Sequence, residues 1–119
     1  MALERGKLSN VVQITAGNTQ AIVTVSNNKK IYVKSIIAHA VGVSTTPTAQ
    51  VYFVPNGSSV GTSTRIFDVT LSAKESAFIE PAYPIVLTQT GDALHVGAGV
   101  DTVNFLVTGD KEAWYMPFK

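Results

Sequence analysis

The run Ile31 to Val41, IYVKSIIAHAV, contains neither Gly nor Pro and is rich in β-branched side chains, which makes it the longest unbroken strand signal in the chain. It reads as a central strand. Strict alternation would put Ile31, Val33, Ser35, Ile37, His39 and Val41 on one face and Tyr32, Lys34, Ile36, Ala38 and Ala40 on the other. Neither face is purely polar, so burial on one side and contact with a partner on the other is the expectation. Further strand signals recur at Lys7–Ile14, Gln20–Val25, Gln50–Val54, Arg65–Leu71, Ser76–Glu80, Ile85–Leu87, Ala93–Ala98 and Val103–Thr108. Between them lie turn formers such as Ala16-Gly17-Asn18-Thr19, Pro55-Asn56-Gly57 and Thr90-Gly91-Asp92, where Gly and Asn accept positive φ and Pro presets it. About nine short strands with turns every 8–12 residues is the signature of an all-β antiparallel sandwich, jelly-roll-like, and no window shows a helical period.

At 119 residues the chain fits one domain with a real core. Residues 1–6 lack periodicity and read as an N-terminal arm, 7–112 as the sandwich, and 113–119 as an aromatic tail. Alternation assigns Phe67, Val69 and Leu71, and likewise Val103, Phe105 and Val107, to the core. The hydrophobic fraction of 45% against 14% charged residues, with a mean hydropathy of +0.22, is high for a small monomer and points to oligomerisation. A net charge of +1 with no basic cluster speaks against nucleic acid. Cysteine is absent, which removes disulfides and thiolate chemistry. The N-terminus lacks the apolar core of a secretory signal and no run approaches the ~18 apolar residues of a membrane helix, so synthesis in the cytoplasm and no membrane contact are expected.

Catalytic signals are weak. Gly57-Ser58-Ser59-Val60-Gly61 spells the nucleophile elbow G-x-S-x-G, but it joins two strand signals and no helix follows, so a hairpin loop explains it better. His39 and His95 are the only histidines; Asp92 near His95 offers two ligands where a metal site needs three or four. Gly91-Asp92 and Gly109-Asp110 fit turns in which Asp bonds the local backbone. No catalytic residue, metal or cofactor is assigned. The tail Ala113-Trp-Tyr-Met-Pro-Phe-Lys119 gathers aromatics and Met, residue types enriched at interfaces, at a terminus that would otherwise fray; the alternative is that it folds back over its own sandwich. A partner interface is accordingly assigned to Tyr32, Ile36, Tyr52, Trp114, Tyr115, Met116 and Phe118. Deleting residues 113–119 should then weaken association more than the fold.

Four segments together, Ile31–His39, Val51–Gly57, Ala82–Leu87 leading to Gly91-Asp92, and Val103–Glu112, resemble small structural proteins encoded in the virion gene clusters of tailed bacteriophages. The likeness covers roughly residues 30–112. It implies a β-sandwich packing in symmetric copies on the particle, without catalytic residues: most simply a capsid decoration or cementing protein, with the neck or tail as other locations. Homotrimers and contact with the major capsid protein are part of that implication, as is residence in the virion after synthesis in the host cytoplasm. The competing reading is a host-receptor or carbohydrate-binding module using Tyr32, Tyr52 and Tyr83.

Overall fold

The computed structural model describes residues 2–26, 29–42 and 46–113. Ten strands run β1 (Ala2–Lys7), β2 (Val12–Ile14), β3 (Thr19–Thr24), β4 (Lys29–Ala40), β5 (Thr48–Val54), β6 (Arg65–Thr70), β7 (Ser76–Ile79), β8 (Ile85–Leu87), β9 (Ala93–Ala98) and β10 (Val103–Ala113). Among the described residues there is no helix. All pairings are antiparallel. β5 pairs β6, β4 pairs β7 and β8, β3 pairs β9, and β1 and β2 pair β10. These are the nested rungs of one long ribbon whose tip is the β5–β6 connection. Two further pairings, β10 with β4 and β9 with β5, close the ribbon on itself and divide it into two sheets. That rolled ribbon is the jelly roll. Sheet A holds β1 and β2, β10, β4, then β7 and β8; sheet B has the order β3-β9-β5-β6.

The core lies between the sheets. Sheet A contributes Ile36, Ala38, Val103, Phe105 and Val107, and sheet B contributes Ala49, Val51, Leu94 and Val96, all fully buried. β6 is an edge strand, so Phe67 and Val69 face the core as alternation required but remain only half-buried.

Residues 2–7, expected as an arm, form β1. The sequence ALERGK has little strand propensity of its own, but β10 offers it a complete ladder from Thr108 to Ala113. The same ladder carries β10 past Thr108, where a turn at Gly109-Asp110 was expected. Gly109 is glycine for a different reason: a Cβ there would collide with the carbonyl oxygen of Tyr32 on β4. At this point the register slips, Thr108 pairing with Ser35 and Gly109 with Val33, so that Lys34 is the extra residue of a β-bulge.

The bulge corrects the expected faces of β4. Ile36, Ala38 and Ala40 point inward on one side of Lys34, and Ile31 and Val33 point inward on the other, all at 3% exposure or less. The apolar residues that seemed to occupy both faces of this strand lie largely on one. Ile36, assigned to a partner interface from the sequence, is a core residue with no exposed surface.

Candidate assembly surface

The outer face of sheet A is ordered in rows that cross the strands. Where Leu106, Ile37 and Phe78 stand opposite one another on β10, β4 and β7, the row is apolar. Val11, just before β2, extends it, since Val12 packs toward the core and its neighbour must point out. Phe78 is 67% exposed and Val11 64%, while Leu106 and Ile37 are half-buried between them. With strands about 4.8 Å apart, four positions make a stripe roughly 14 Å wide.

One row away the chemistry turns polar. Gln13, Asn104, His39 and Ser76 are mutually opposed, and the Ser76 hydroxyl lies 2.8 Å from His39 Nδ1. The Asn104 Oδ1 atom is buried and has no hydrogen-bond partner among the described residues.

At the far end of the same face the row is charged. Asp110 is 6% exposed and is approached by Lys34 Nζ at 2.6 Å and by Arg5 Nε at 3.8 Å. Lys34 reaches it because the bulge turns that side chain outward. The Tyr32 hydroxyl donates to Glu112 Oε1 at 3.1 Å. Burial, that hydrogen bond and the nearby Glu112 and Asp110 charges together push the phenol above its ordinary value. Tyr32, Lys34, Pro84, Asp110 and Glu112 line an open cleft of about 310 Å³, whose carboxylates are thus already engaged by the chain's own groups.

The remaining sequence-assigned residues are dispersed. Tyr52 is 5% exposed on the outer face of sheet B, where its hydroxyl donates to Gln50 Oε1 and its ring lies across Gly97. It is therefore on the opposite sheet from Tyr32, and Tyr83 is 85% exposed in the loop before β8; the three tyrosines do not form one platform. Trp114, Tyr115, Met116 and Phe118 lie outside the described residues. Phe78, Ile37, Leu106 and Val11 were not singled out from the sequence, although the alternation of Ser76 and Phe78 against Ala77 and Ile79 was visible there.

Ser59 sits exposed in the loop between β5 and β6, its carbonyl accepting from Thr64 Oγ1, with no helix behind it. Asp92 accepts hydrogen bonds from the backbone N–H groups of Asn56 and Gln89 and so fastens the turn before β9, with Gly91 at φ 93°. Among the described residues no group of three or more His, Asp and Glu is placed to hold a metal ion.

No protein-family model matches the chain, and no curated protein matches it in sequence. Among solved structures it is similar to a chain of Bacillus endospore appendages, described as disulfide-linked pili, at 14% identity and a TM-score of 0.51, covering 95% of this chain and 89% of that one. It is also similar to a chain of the T13 IBDV viral particle, at 8% identity and a TM-score of 0.50, covering 94% of this chain but only 31% of that one. At such identities what the chain shares with both is its fold.

Proposed function

We propose that this protein is a non-enzymatic structural subunit that packs against copies of itself on a virion, as a capsid decoration or cementing protein of a tailed bacteriophage. The observation that carries the assembly reading is the row Val11, Leu106, Ile37 and Phe78, an apolar stripe on the face of a sheet whose other face already has its partner. A stripe of this kind, rimmed by the polar row on one side and by Ser35 and Thr108 on the other, with the ion pairs beyond, is what a protein contact covers. The two solved structures described above belong to assemblies, a pilus and a particle. The virion location, the trimer and the major capsid protein as neighbour rest on the sequence resemblance over residues 30–112.

Light scattering on the purified protein at micromolar concentration tests this reading: a mass of three subunits is expected, and Phe78→Glu should lower it. A single-subunit mass throughout overturns self-assembly. Sedimentation with phage heads stripped of accessory proteins tests the location, and failure to bind overturns the cementing role.

A filament subunit is the second reading, favoured because the pilus chain is matched over nearly its whole length. This chain has no cysteine, so such a filament would cohere without disulfides. Negative-stain microscopy separates rings or discrete oligomers from filaments.

A further inference from the structure

We propose that the apolar row on sheet A is the receptor for the aromatic segment Trp114–Phe118 of a neighbouring copy. This rests on the self-assembly reading and names the element that occupies the surface.

The argument begins with reach. β10 ends its described course at Ala113, and Leu106 stands seven residues back along the same strand. At about 3.3 Å per residue that separation is roughly 23 Å. The Cα of Trp114 lies about 3.8 Å from that of Ala113, and Tyr115 at most about 7 Å away. Neither can lie on the row of its own subunit. Even Phe118, doubling straight back, gains only about 17 Å, and its path would cross the Asp110, Lys34 and Arg5 ion pairs, a poor bed for aromatic side chains. The same segment in another copy has no such limit.

Chemistry matches on both sides. The row offers Phe78 and Val11 exposed over a half-buried floor of Leu106 and Ile37. The segment offers one Trp, one Tyr, one Met and one Phe within five residues. Such anchors seated in an apolar surface supply most of the binding energy of an interface. Because segment and receptor occupy different places on the subunit, the contact is head to tail. Repeated, it closes into a ring if the rotation allows and otherwise extends without limit.

Trp114 is the only tryptophan and reports its own docking. On raising the full-length protein from nanomolar to tens of micromolar, its emission should shift to the blue in step with the mass measured by light scattering. Phe78→Glu, at a position exposed enough to leave the fold intact, should keep the emission red and weaken association at least tenfold, with an unchanged circular dichroism spectrum. The full-length double variant Trp114→Ala, Tyr115→Ala should be monomeric. If the double variant still assembles, or Phe78→Glu shows the same blue shift as the unaltered protein, the segment is not the occupant, while self-assembly stands. If the full-length protein stays monomeric at every concentration, the assembly reading fails and this inference fails with it.

Discussion

The two phenylalanines assigned to the core from sequence differ in what they bury. Phe105, at the centre of sheet A, has no exposed surface, while Phe67 sits on the edge strand β6 and is only half-buried. Phe105→Ala should cost about 3–5 kcal/mol and Phe67→Ala about half as much, read from urea midpoints. A different residue contributes a response to pH. His95 faces Tyr52 and Ala21 across sheet B, and burial holds its imidazole below the ordinary histidine value. The folded state therefore takes up a proton less readily than the unfolded chain. As pH falls through about 6.5, the unfolded state gains protons first, and stability is lost until the folded value is passed. Urea midpoints at pH 7.5 and 5.5 should show this loss, and His95→Gln should reduce it.

Strand identity was legible at the scale of the element, and strand phase was legible in β6 and β10 but not across the bulge in β4. β8 and β9 fall on their expected bounds, and β6 and β7 end one residue early, because β-rich runs and a Gly-, Asn- or Pro-bearing loop on at least one side mark each of them locally. β1 escaped because its residues take strand form only from the ladder on β10. The candidate surface was half legible. Tyr32 lies on the outer face of sheet A, but Ile36 was assigned outward because a bulge leaves no mark in a single sequence and shifts every later residue to the other side. The glycine that allows this close approach should be irreplaceable: Gly109→Ala should cost about 1–3 kcal/mol by overpacking. Hydrogen exchange should show the loss concentrated in β1 and in the 29–34 end of β4, with the β5–β9 pairing still protected. Uniform loss across both sheets would mean that the bulge is not a local device.

Over the whole molecule, the rolled ribbon makes its first and last strands partners. The Leu8 N–H bonds the Val107 carbonyl and the Val107 N–H bonds Ser9 Oγ, so the join spans almost the entire described chain. Contacts between such distant residues slow folding, and refolding after denaturant dilution should take milliseconds to seconds rather than microseconds, as stopped-flow tryptophan or tyrosine emission will show. β10 has a special place in this order, since among the described strands it is the one that joins β1 and β2 to β4. Until it emerges from the ribosome, sheet A is three separate pieces, β1, β2 and the β4–β7–β8 group, and its inner face has no Phe105. The subunit thus acquires its completed sheet and its outward apolar row in the same late event, so that a partly synthesised chain has no finished surface with which to capture a neighbour.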